Sequence, residues 1–172
     1  PDWADVEKNI PILKLPNGVT SEYAGYNGEK IKQADVNLLA YPLKEITDAT
    51  QIKKDLEYYE ARVGEGSPAM TQAIFTILYA RLREPAKAWN TFEKSYIPNK
   101  LPPFGVMAET AGGTNPYFAT GAGGYLQSML FGFGGLDITP KGIVQLKTSL
   151  PKDWKSLTLT GIGKDKKTYE VK

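Results

Sequence analysis

The apolar residues of this chain change period once, near residue 134, and that change restricts the fold more than any other feature of the sequence. Before it the spacing is helical. Ile52, Leu56, Tyr59 and Val63 advance by 4, 3 and 4 residues, one face of a 3.6-residue repeat, and predict an amphipathic helix over 50–63. Residues 69–82 are apolar nearly all round, which predicts a buried helix, because such a helix has no face to offer to water. Glu84-Pro85 opens the next helix with proline at a first-turn position, and Trp89, Phe92 and Tyr96 step along it by 3 and 4. Further helices are predicted over 121–132, over 31–41 (carrying Val36, Leu39 and Ala40 and ended by Pro42) and, briefly, over 5–9 before Pro11. After Gly134 the pattern alternates. Val144, Leu146 and Thr148 share one face, Leu157 and Leu159 alternate with Thr158 and Thr160, and Tyr169 and Val171 alternate with Thr168 and Glu170, with a hairpin loop over 161–167. The chain therefore reads as mainly α, leading into a small antiparallel sheet, with the boundary at 134–140. Two stretches stand outside this pattern: a turn-rich loop over 17–30 and a long Gly- and Pro-containing segment over 98–120, of a length that tends to be functional or disordered.

A length of 172 residues suits roughly one domain. Apolar content of 41% is enough to build a core and argues against intrinsic disorder. With 21 Lys+Arg against 19 Asp+Glu and no basic stripe, nothing points to nucleic acid. No apolar run approaches the length of a membrane span. Cysteine and histidine are both absent, which excludes thiolate catalysis, Ser-His-Asp and Cys-His arrangements, and imidazole or thiolate metal sites within this chain. Acid–base chemistry falls to carboxylates first. The carboxylates are not clustered at ligand spacing, so no metal or other cofactor is implied. The first residue is Pro1, with no Met and no signal peptide, which predicts a piece of something larger. Two apolar helices, 69–82 and 121–132, with few others to cover them, point the same way.

Five segments then become recognisable in order. They are Gly28-Glu29-Lys30-Ile31-Lys32-Gln33-Ala34-Asp35-Val36, the helix opening Pro68-Ala69-Met70-Thr71, the loop Pro103-Phe104-Gly105-Val106-Met107-Ala108-Glu109-Thr110, the run from Gly121-Ala122-Gly123-Gly124-Tyr125 to Gly132-Phe133-Gly134-Gly135-Leu136, and Leu150-Pro151-Lys152-Asp153-Trp154-Lys155-Ser156-Leu157. Together they resemble the C-terminal part of glycoside hydrolase family 65, which includes disaccharide phosphorylases, acid trehalases and related α-glucoside hydrolases. The resemblance implies an (α/α)6 toroid followed by a small antiparallel β-sheet domain. Twelve helices of about 12 residues with connections of about 5 need roughly 200 residues. This chain would be the C-terminal portion of the toroid, residues 1–134, plus its β-domain, residues 135–172.

In the family's hydrolases one carboxyl protonates the leaving oxygen and another activates water. The resemblance places Glu109 as the general base of an inverting hydrolase, and Lys32 and Gln33 as hydrogen-bonding residues of the glucose subsite. It places the general acid upstream, outside these residues, so the implied partner is the N-terminal remainder of the enzyme, on the same or a separate chain. The implied substrate is an α-linked glucose disaccharide or glucoside, with no nucleic acid and no membrane. The compartment is open; many such hydrolases are exported to the periplasm or beyond. The phosphorylase pattern His-Asp-Ser-Thr is replaced by Pro68-Ala69-Met70-Thr71, matching at Thr71 alone, which favours hydrolysis. The alternatives are a phosphorylase of the same family and a non-catalytic carbohydrate-binding or structural module.

Each of these residues also has a plainer reading. Unaided, Glu109 is a loop carboxylate capping a helix or facing water, and Lys32-Gln33 is the polar start of an amphipathic helix. Asp35 reads as structural, and Glu29 and Glu65 as loop acids. Trp89, Phe92 and Tyr96 are core at helical spacing, and Trp154 packs on the helical layer. Tyr117 and Phe118 are weaker candidates for shaping a sugar site. Gly121-Ala122-Gly123-Gly124 lacks the third glycine and the preceding strand of a dinucleotide loop, and reads as a close-packing surface.

Overall fold

The computed structural model describes residues 2–64, 66 and 68–172. Pro1, the loop acid Glu65, and Ser67 of the expected helix break lie outside the described residues. Helix α1 spans Trp3–Asn9, and the Asp2 side chain accepts from the Ala4 N–H at 3.0 Å, satisfying a first-turn donor. Helix α2 spans Ala49–Glu60 and is capped in the same way by Asp48, which accepts from the Gln51 N–H at 2.8 Å. Leu56 and Tyr59 of the predicted stripe are fully buried, whereas Val63 lies past the helix end. Helix α3, Ala69–Arg81, is the buried helix, with Phe75, Ile77, Tyr79 and Ala80 sealed from solvent. It ends through Arg83 in a left-handed conformation, φ 60°, with the Glu84 N–H donating back to the Tyr79 carbonyl at 2.9 Å. Pro85 then opens α4, Pro85–Lys94, at its first turn.

Helix α5, Ala119–Gln127, continues into Ser128–Phe133 with π-type bonding, as in the Gly134 N–H to Met129 carbonyl bond at 2.9 Å. Its glycines allow close approach to α3. A Cβ on Gly124 would lie 3.1 Å from the Ala73 Cβ, and one on Gly132 would lie 3.2 Å from the Ile77 Cα. The Ser128 hydroxyl reaches the Ala73 carbonyl at 3.3 Å across the same seam. On the other side of α3, the buried hydroxyls of Thr76 and Thr91 meet at 3.0 Å and tie it to α4.

The alternating segments form hairpins. Strands β1 (Lys100–Leu101) and β2 (Val106–Met107) pair antiparallel within the segment expected as a continuous loop. Strands β3 (Leu136–Thr139) and β4 (Gly142–Gln145) pair from Leu136↔Gln145 to Thr139↔Gly142. Strands β5 (Leu157–Ile162) and β6 (Lys167–Val171) pair from Leu157↔Val171, with an irregularity before Ile162↔Lys167. The expectation of one small sheet thus becomes separate two-stranded ladders. They dock on the helices: Arg81 donates to the Phe131 and Leu136 carbonyls, each at 3.0 Å, and the Thr148 hydroxyl reaches the Ala80 and Gly132 carbonyls at 3.0 and 2.9 Å. Trp154 packs on Trp89, Phe92 and Phe133, as the sequence predicts.

One helix expectation is corrected. Residues 31–41 do not form an α-helix; a 3₁₀ turn over Asp35–Leu39 stands there. Ile31 is drawn into extended pairing with Val63, its N–H donating to the Arg62 carbonyl at 3.0 Å, so the helical start is lost to a tertiary bond. Among the described residues no helix is long and apolar enough to cross a membrane.

Candidate active site

Lys32 and Gln33 lie in a bend held at both ends. On one side is the Ile31–Val63 bridge, closed by the Gly64 N–H to Ile31 carbonyl bond at 3.1 Å. On the other is Glu22, whose Oε1 accepts from the Asp35 N–H at 2.8 Å and whose Oε2 accepts from the Val36 N–H at 3.2 Å. Burial pushes the Glu22 carboxyl above the usual carboxylate value, against the downward pull of those two main-chain bonds. The segment carrying Glu22 is fastened to α2. The buried Asp55 takes the Thr20 N–H and the Thr20 hydroxyl, each at 2.7 Å, and the Tyr59 hydroxyl donates to the Thr20 carbonyl at 2.6 Å. Thus α2 positions residues 20–22, and these position the bend.

Gln33 borders a cavity of about 290 Å³. Its other polar wall groups come from Asp35, the buried Thr71 on the first turn of α3, and Thr120 and Gln127 on α5. Met70, Ile74 and Ile77 supply the apolar surface. A small apolar cleft with a few convergent polar groups is the usual form of a small-molecule site. The Tyr41 hydroxyl donates to Gln127 Oε1 at 2.8 Å, orienting that amide, while burial pushes the Tyr41 phenol up to about 12, so it stays protonated and a donor. Asp35 contributes its main-chain N–H to the Glu22 bond and is also one of the residues lining the cavity.

Glu109 stands two residues after β2, half-buried. Its carbonyl and that of Ala108 accept from Nδ2 of the buried Asn99 at 3.2 and 3.0 Å. Its N–H donates to Asn115 Oδ1 at 3.4 Å, and its Oε2 accepts from Asn115 Nδ2 at 3.3 Å. The loop closes where the Phe118 N–H meets the Met107 carbonyl at 2.9 Å, immediately before α5 and its cavity residue Thr120. The cavity takes in Gln33; Lys32, which is exposed, and Glu109 are not among its lining residues. Tyr117 is exposed with φ 67°, and Glu29 is bonded to the Tyr23 hydroxyl and the Asn27 N–H. Sequence reading passed over Glu22, Asn99, Asn115, Thr120 and Gln127. Asn115-Pro116 is a turn signal that flags the first residue of that pair; Glu22 carries no local signal, because its role depends on residues 13 and 14 positions away.

Residues 9–98 match the description of the glycosyl hydrolase family 65 central catalytic domain. The chain is 67% identical to a kojibiose hydrolase of Mucilaginibacter mallensis, over 100% of this chain and 26% of that protein. It is 55% identical to a kojibiose hydrolase of Flavobacterium johnsoniae, over 98% of this chain and 25% of that protein. An acid trehalase of Emericella nidulans is 36% identical over 87% of this chain and 15% of its own length. The chain spans about a quarter of the length of the two kojibiose hydrolases.

Proposed function

The chain belongs to glycoside hydrolase family 65, and we propose from this that it is the closing part of a catalytic domain that hydrolyses an α-glucoside by inversion. On this reading residues 1–134 supply the last helices of an (α/α)6 toroid and residues 135–172 its β-domain. The identity of 67% across the whole chain to a kojibiose hydrolase carries the reading and makes kojibiose the first substrate to assay.

Glu109 is the general base. It takes a proton from water as the water oxygen bonds to the anomeric carbon, and the bond to the leaving oxygen breaks as that oxygen receives a proton from a general acid outside this chain. The net reaction consumes one water and releases glucose and the second sugar. Inverting carboxyl pairs stand about 6.5–9.5 Å apart, leaving room for the water. Lys32, with three donors, and Gln33, with donors and an acceptor, bind glucose hydroxyls, which need partners once they leave water. The position of Gln33 on the cavity, beside the buried Thr71, supports this subsite. Lys32 and Glu109 then belong to a larger cleft whose remaining wall the upstream part of the enzyme supplies.

The test uses a polypeptide extended to the length of the relatives. It should release glucose from kojibiose without phosphate, and Glu109→Gln should lower turnover about a thousandfold. Glucose 1-phosphate formation, or turnover retained in the variant, would overturn the reading. The 172-residue chain by itself should be inactive, since it holds no general acid on this account.

A further inference from the structure

We propose that Asn115 is the positioning residue of the Glu109 carboxylate, holding one oxygen and leaving the other to water; this rests on reading Glu109 as the general base. One amide engages one residue at two points. Asn115 Oδ1 accepts the Glu109 main-chain N–H at 3.4 Å, and Asn115 Nδ2 donates to Glu109 Oε2 at 3.3 Å. The first bond decides which way the amide faces, and the second therefore presents a donor to the carboxylate. From the opposite side the buried Asn99 fixes the Ala108 and Glu109 carbonyls, so the main chain at residue 109 is pinned and the remaining freedom lies in its side chain. Asn115 takes that freedom up. Glu109 Oε1 has no hydrogen bond among the described residues and is the oxygen left for the attacking water.

Asn115 is itself held by the loop's closure. Pro116 and the left-handed Tyr117 follow it, and the Phe118 N–H then meets the Met107 carbonyl at 2.9 Å. The turn at Thr110–Gly113 is closed by its own main-chain bond at 3.0 Å. A donor on one carboxylate oxygen fixes the direction in which the other points. Such bonds are often long before substrate is bound and shorten once the site closes. Among the described residues no ion pair involves Glu109, and the Asn115 amide is the hydrogen-bond partner of its carboxylate.

The experiment is done in the complete enzyme, with kojibiose as substrate. Asn115→Ala should lower kcat about ten- to hundredfold with KM changed by less than about twofold, because the carboxylate loses its donor while the sugar contacts stay. Asn115→Asp is isosteric, keeps an acceptor for the Glu109 N–H and replaces the donor to Oε2 by a like charge, so it should lower kcat at least as much, again with KM little changed. A loss of kcat matched by a comparable rise in KM in both variants would mean a structural role only, and unchanged kcat would mean none; either overturns the proposal. If Asn115→Ala does not fold, the isosteric Asp variant carries the test. Glu109→Gln, assayed alongside, separates the two failures. Turnover retained there sinks the base assignment, whereas turnover lost there, with kcat unchanged or KM raised in step in the Asn115 variants, sinks the positioning role alone.

Discussion

Glu22 is half-buried and spends both carboxylate oxygens on main-chain N–H groups, those of Asp35 at 2.8 Å and Val36 at 3.2 Å. Burial is the largest influence on its pKa and raises it above 4.5; the two hydrogen bonds oppose, and the charge of Asp35 adds a smaller rise. A carboxyl whose folded pKa exceeds its unfolded value contributes stability that is complete below the unfolded pKa and is lost as pH rises through the folded one. Stability should therefore fall with pH across the interval just above 4.5. Glu22→Gln should flatten that fall, since the amide does not ionise. Urea unfolding at intervals from about pH 4 to about pH 7 checks it; an identical slope in the variant would assign the effect to another group. The same residue explains why Gln33 faces the cavity. The bend exists because a carboxylate from another part of the chain takes the donors that a helix would have used.

At the scale of elements, α3 is the organising helix, and α5 with its π-type continuation comes close to it because glycines let it. Gly132 is tightly placed: an added Cβ would sit 3.2 Å from the Ile77 Cα and 3.5 Å from its Cγ1, so the main chain of α3 would have to give by a few tenths of an ångström. Because the nearest atom is main chain, it cannot swing away. Gly132→Val should destabilise by about 1–3 kcal/mol, read as a lower urea midpoint with unchanged slope. A midpoint equal to that of the parent protein would show that the α3–α5 seam can open without cost. Glycine spacing therefore has a packing purpose here, and the sequence reading of 121–124 as a close-packing surface agrees with Gly124 against Ala73. The 31–41 segment went the other way. Its apolar stripe is real, with Val36 buried, but the extended pairing of Ile31 with Val63 limits the helix to one 3₁₀ turn.

At the scale of the molecule, the segment between β4 and β5 joins the helices in one aromatic core through Trp154. Phe92 stacks on Tyr125 at 5.1 Å and meets Phe133 edge-on at 5.3 Å, while Trp154 meets Trp89 at 5.8 Å and Phe133 at 5.3 Å. Trp154→Ala should cost about 3 kcal/mol and should expose the 135–172 segment to proteolysis before the helices. Simultaneous cleavage of both parts would show that the docking does not depend on this ring. Outside that core, α1 has no buried residue and Trp3 is 79% exposed. An apolar helix face of this kind fits the proposal that the rest of the enzyme packs around these residues.

Periodicity, proline positions and turn residues were enough to read all five α-helices within a few residues, α5 together with its π-type continuation, and also the buried character of α3, the switch to strands after Gly134 and the packing of Trp154. These are local or nearly local consequences of which side chains can leave water together. The resemblance added the family and the candidate residues Lys32, Gln33 and Glu109. The tertiary structure decided what local signals do not encode: that Glu22 and Asp55 hold the Gln33 bend, that Thr71, Thr120 and Gln127 wall its cavity, and that Asn99 and Asn115 grip Glu109. A hydrogen bond between groups distant along the chain leaves no periodic trace in either segment. It forms only after burial has brought the two together and made an unpaired polar group expensive.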